Sequence, residues 1–211
     1  MLKHFLFIIF LVAGTALTGQ NKKADAILED LTKKLDSHKS VDVHFSYILK
    51  DANQLTTDEG KGTLLISDDR YRLKIIGQQV FCDGETIWTY IEDAEEVQIN
   101  TATEDEGMIT PSNLLTFYND HYKAKAVKEE DFKGKTAYII ELKPNEDKNH
   151  ASVDFYIDKE NNEILKIVLF DKNGGTTEYN LDKMDWDIPV KPGDFSFNAD
   201  DYPDIEIIDM R

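Results

Sequence analysis

Three kinds of side chain in this 211-residue sequence could support covalent or metal chemistry: five histidines, one cysteine and 41 acids. His4, His38, His44, His121 and His150 would be the metal ligands or general bases. None stands three or four residues from another and none neighbours Cys82, so no metal-ligand spacing exists. His44 falls on the polar side of an alternating stretch, which favours a solvated position. Cys82 follows Val80 and Phe81, has no partner for an internal disulfide, and is expected to be a small buried hydrophobe. The sequence contains no nucleophile elbow, phosphate-binding loop or dinucleotide fingerprint. A carboxylate pair could run acid–base hydrolysis, yet among 41 acids position singles out no pair. The runs from Asp158 and from Asp171 resemble calcium loops but lack the required glycine and closing acid, so both read as turns. No cofactor and no metal are expected. What remains is non-covalent: 9 Tyr, 11 Phe and 2 Trp in a chain that is 41% apolar.

Charge narrows the partners. With 24 Lys+Arg against 41 Asp+Glu the formal charge is −17. That excludes nucleic acid, which needs clustered cations, and disfavours docking on an anionic leaflet. The aromatic content excludes a disordered chain, and the length supports one domain.

The elements that must position these groups follow from periodicity. Residues 1–20 carry Lys3, an apolar run from Phe5 to Ala13, then small and polar residues. This is the pattern of a cleaved export signal, too short to span a membrane. Its removal takes one lysine and no acid, so −17 becomes −18 for a single domain over 21–211, exported to the periplasm or the exterior. Ala24, Ile27, Leu28, Leu31 and Leu35 then predict a helix over Ala24–His38. From Val41 the period is two: Val41, Val43, Phe45, Tyr47 and Leu49 share a face. Similar segments recur to Asp204–Ile208, giving about ten strands without interleaved helices and hence an antiparallel meander. Thr110–Tyr118 interrupts them as a short apolar helix with Pro111 at its start.

The ordered set resembles the LolA family of periplasmic lipoprotein carriers. It comprises the export signal, the first helix, VDVHFSYILKD, the Gly60-Lys61-Gly62-Thr63-Leu64 strand, Tyr71-Arg72-Leu73, the hairpin Val80–Val97 with its Asp83-Gly84 turn and Trp88, PSNLLTFY, and Asp194-Phe195-Ser196-Phe197. The resemblance covers nearly the whole chain from Ala24 onward. It implies a mainly β fold with α: an unclosed antiparallel β-barrel, or curved sheet, with the N-terminal helix and a mid-chain lid helix. It further implies a monomeric, non-enzymatic chaperone whose apolar cavity takes the acyl chains of lipoproteins. Cargo would come from an inner-membrane lipoprotein-releasing transporter and pass to an outer-membrane acceptor.

Cavity contacts are expected at Val43, Phe45 and Tyr47, at Leu64 and Ile66, at Tyr71, Leu73 and Ile75, and at Trp88 and Tyr90. Leu114, Leu115 and Phe117 would face them from the lid. The alternation leaves open which face of Thr86–Ile91 points inward. The family's Arg-Pro after the second strand is replaced here by Ser67-Asp68-Asp69-Arg70, so Arg70 or Arg72 would have to lock the lid. Two rival readings keep their place: a LolA-like envelope sensor or structural module without transport, and a secreted acidic hydrolase.

Overall fold

The computed structural model describes residues 16–102, 122–145 and 150–211. The predicted lid residues Leu114, Leu115 and Phe117, with the whole Thr110–Tyr118 helix, lie outside the described residues.

One helix precedes the sheet. α1 (Ala16–Asp36) is longer than its periodicity predicts and begins inside the segment read as an export signal. Ala24, Leu28 and Leu31 are fully buried along one stripe, and Ile27 and Leu35 pack beside them. Lys33 and Lys34 in its last turn suit the negative end of the helix.

Twelve strands form one sheet. They are β1 (Val41–Lys50), β2 (Thr56–Ser67), β3 (Arg70–Ile75), β4 (Gln78–Cys82), β5 (Thr86–Ile91), β6 (Glu96–Thr101), β7 (Tyr122–Phe132), β8 (Lys135–Pro144), β9 (His150–Asp158), β10 (Ile164–Asp171), β11 (Thr176–Trp186) and β12 (Glu206–Asp209). Their order is β12-β6-β5-β4-β3-β2-β1-β11-β10-β9-β8-β7. Two meanders, β1–β6 and β7–β11, are therefore joined through the β1–β11 pair, whose register runs from Val41 opposite Trp186 to Lys50 opposite Thr176. Among the described residues the sheet is open at β7 and β12, as the unclosed barrel requires. The expected all-antiparallel meander fails at one place: β12 adds to β6 in parallel, because the chain returns through residues 187–205 along the sheet instead of through a hairpin.

Tight turns close the hairpins where the sequence marks them. Gly84 and Gly174 take φ of +99° and +92°, values open to glycine and unfavourable for other residues. In the β9–β10 turn Asn162 adopts a left-handed φ of 51°, and Asp158 accepts hydrogen bonds from the Glu160 and Asn161 N–H groups.

Both faces of the sheet are covered in part, by different pieces of chain. On the inner face lies α1, crossing strands of the β7–β11 half. It is tied by Lys23 to Glu129 of β7 at 2.7 Å and by Lys34 to Glu163 beside β10 at 2.8 Å, and His38 just beyond it stacks on Trp186 of β11. On the outer face the segment after β11 places Phe195, fully buried, in a single 3-10 turn against β3.

Candidate functional site

The inner face is assembled by register. Strand side chains alternate between faces, so residues opposite one another across the ladder share a face. Reading across the strands, Val127 meets Ile140, Ile140 meets Phe155, Phe155 meets Ile167, Ile167 meets Tyr179, and Tyr179 meets Tyr47. A second row takes Met184 to Val43, Val43 to Leu64, Leu64 to Leu73 and Leu73 to Val80. One apolar surface thus runs from β7 to β3, and α1 packs into it.

Eight predicted cavity residues lie on this surface. Val43, Phe45, Tyr47, Leu64 and Ile66 are buried in it, and Tyr71, Leu73 and Ile75 pack against it half-buried. Two glycines make room for the aromatic rings. Gly60 stands opposite Tyr47 and Gly62 opposite Phe45, and a Cβ at either would fall 2.6 Å from the Tyr47 hydroxyl oxygen or 2.5 Å from Phe45 Cζ. The rings therefore lie flat over β2 instead of standing upright into the concavity.

Trp88 and Tyr90 are on the other face, a correction to their expected place. Trp88 pairs with Phe81, Phe81 with Arg72 and Arg72 with Leu65, which is the out-of-phase row. Tyr90 is held there by Phe197 and Tyr202, at ring separations of 5.9 and 4.6 Å. Arg70 also belongs to that side. Its guanidinium sits 4.9 Å from the Phe195 ring and donates to Ser67 Oγ. Arg70 and Arg72 thus point away from the face that a lid would close over, and Arg70 instead clamps the C-terminal segment.

Sequence reasoning missed the β7–β11 half of the surface: Ile140, Leu142, Phe155, Ile157, Ile167 and their neighbours, all buried. The signal was present, since KTAYIIELK and SVDFYI alternate as regularly as VDVHFSYIL.

The surface opens beside α1. A pocket of about 550 Å³ lies between the helix and the β7–β8 edge. Its floor is Leu28, Tyr122, Ala124 and Leu142, and its rim is charged. Burial pushes Tyr122 up to about 12, and burial likewise raises Tyr47 and Tyr179. The Tyr122 hydroxyl hydrogen-bonds His150 Nε2 at 2.6 Å, which satisfies both groups in a buried setting. Apart from that phenol the floor is apolar.

A second, smaller hollow of about 160 Å³ on the outer face holds Asp154 opposite Glu141. Burial, then the Glu141 charge, raises Asp154. Such a pair is the arrangement a hydrolase needs, but the hollow falls short of the roughly 300–1,000 Å³ of ligand pockets. Among the described residues no group of three or more His, Cys, Asp or Glu could hold a metal ion. Cys82 is buried, and that burial raises its thiol, so it behaves as the small hydrophobe expected.

Similarity to known proteins follows the same architecture. No curated protein matches the sequence. Among solved structures, an uncharacterized conserved protein from Thermus thermophilus superposes with a TM-score of 0.60 at 11% identity, covering 89% of this chain and 99% of its own. A DUF1329-family protein from Desulfovibrio piger gives 0.52 at 10% identity, with 85% and 98% covered. A LolA superfamily protein from Nitrosomonas europaea gives 0.47 at 13% identity, with 82% and 97% covered. The first two share the fold with this chain. The model of the outer membrane lipoprotein carrier protein LolA matches residues 36–198, which takes in β1 through β11 and the clamped turn after them. The chain belongs to the LolA family.

Proposed function

We propose that the protein is a non-enzymatic carrier that holds the acyl chains of lipoproteins between α1 and the inner face of the sheet. The observation that carries this reading is the apolar surface from β7 to β3, with a pocket of about 550 Å³ opening beside the helix that covers it. Burying each CH₂ is worth roughly 0.8 kcal/mol, so a few methylenes hold a chain that is otherwise insoluble. Release needs α1 to lift Ala24, Leu28 and Leu31 off the sheet, apolar contacts that a bound acyl chain can replace. The polar ties from α1 at Lys23–Glu129 and Lys34–Glu163 are partly exposed ion pairs, which hold only weakly in water. Loosening α1 shifts the protein between states that keep and release cargo, with no bond made or broken.

In this reading residues 1–20 direct export to the periplasm and are removed there. Among the described side chains, the first of α1 that is buried in the core is Ala24, beyond that cut. Cargo arrives from an inner-membrane lipoprotein-releasing transporter and leaves to an outer-membrane acceptor, and the carrier works as a monomer.

The test is binding of a fluorescent acylated peptide, followed by release of lipoprotein from inner-membrane vesicles. Ala124→Asp places a carboxylate on the pocket floor at an edge strand and is expected to abolish both, with an unchanged melting curve. Wild-type protein that is folded and binds no acylated peptide would sink the reading. Peptide binding without release from vesicles would leave a sensor of acylated partners in place of a carrier.

A further inference from the structure

The pocket beside α1 has two unlike rims. On the helix side Lys33 is consumed locally: its ammonium binds Glu29 at 2.7 Å and lies 3.7 Å from Asp30. With Asp25, the three acids outnumber that one lysine and leave the helix side negative. On the sheet side Lys123 and Lys125 flank Ala124 on edge strand β7, where Lys123, out of phase with Ala124 in the ladder, borders the mouth around the edge; both are exposed, and neither makes an ion pair among the described residues. A bulge between Ala124 and Ala126 falls at Lys125 and breaks the strict alternation there, a common way of re-aiming a side chain at a sheet edge. Two exposed lysines without an ion pair among the described residues thus line a pocket with an apolar floor, in a chain of net charge −17.

We propose that this pocket selects a single-chain amphiphile with an anionic head: the hydrocarbon lies over Leu28, Ala124 and Leu142, and the head is held by Lys123 and Lys125. The proposal rests on the acyl-binding reading and adds to it the charge of the head. Coulomb attraction at a water-exposed rim is modest for each lysine, so the two together favour an anion over a neutral analogue by roughly threefold to tenfold. Asp25, across the mouth, opposes them.

Displacement of a neutral polarity-sensitive dye by laurate and by lauryl alcohol, at a pH where laurate is ionised, separates head from tail. Laurate is expected to displace the dye at about threefold to tenfold lower concentration than the alcohol. In the Lys123→Gln/Lys125→Gln double variant that gap closes while the alcohol is unaffected. In Asp25→Asn the gap widens. All three positions are exposed, so folding is not at stake, and circular dichroism checks it. Equal displacement by the two compounds in native protein overturns the proposal, as does a double variant that weakens both alike. If neither compound displaces a dye that binds, the acyl-binding reading itself fails.

Discussion

Gly62 shows how much a single missing methyl controls on the inner face. A Cβ there would sit 2.5 Å from Phe45 Cζ and 2.8 Å from the Lys74 carbonyl oxygen, and that carbonyl belongs to the β3 ladder. At Gly60 the nearest atoms all belong to the outer end of the Tyr47 ring, which can swing aside. Gly62→Ala is therefore expected to lose about 1–3 kcal/mol by overpacking, and Gly60→Ala markedly less; urea midpoints compare them. Asp158 sets part of the pH dependence. Burial works against its charge, but the Lys135 ammonium at 2.8 Å and the Glu160 and Asn161 N–H groups outweigh that and hold it below the ordinary aspartate range. A depressed native value means that its contribution is present above about pH 4 and is lost as the pH falls through the native value. Asp158→Asn should lose about 1–3 kcal/mol at neutral pH, and the gap from wild type should narrow in acid. A gap that stays constant down to strongly acidic pH would show that the charge of Asp158 is immaterial.

At the scale of elements, period two located nearly every strand, because each meander strand has apolar residues on at least one covered face. It could not tell which face is which where both are covered. In β5 every residue is half-buried: Trp88 and Tyr90 lie toward the C-terminal segment, and Ile87 is in register with Cys82 on the α1 side. Only the cross-strand partners decide between them, and those depend on turns and bulges elsewhere. The start of β2 at Thr56 was also invisible, since Thr56–Glu59 are exposed and polar and are held by pairing with β1 alone. For α1 the apolar spacing was sufficient, and it supports a direct test. Leu31, at 2% exposure, packs into the inner surface, whereas Leu55 is 65% exposed at the β1–β2 turn. Leu31→Ala is expected to destabilise by about 2–5 kcal/mol and Leu55→Ala by less than about 0.5 kcal/mol, as read by thermal or chemical unfolding.

For the whole molecule, the charge of −17 belongs almost wholly to the exterior, with the inner surface free of acids in its floor. Self-repulsion of that shell opposes compaction and is screened beyond about 8 Å at physiological ionic strength. Raising sodium chloride from low to physiological concentration at neutral pH is thus expected to raise Tm by about 2–4 °C, the shift that about 1 kcal/mol produces at this size. A Tm that falls instead would mean that the Lys–Glu pairs outweigh the repulsion.

The same arrangement sets a timetable. β1 is the earliest strand along the chain yet lies in the middle of the sheet, and one of its two edges is filled by β11. The β2–β6 side can zip up locally, hairpin by hairpin, but Val41 must wait for Trp186. Closing so long a loop before any reward arrives slows assembly, and until then the bare edge of β1 is a place where another chain could pair. A chain that crosses a membrane unfolded, amino end first, would reach the far side with this strand exposed and its partner still in transit. It would then depend on whatever shields nascent strands there.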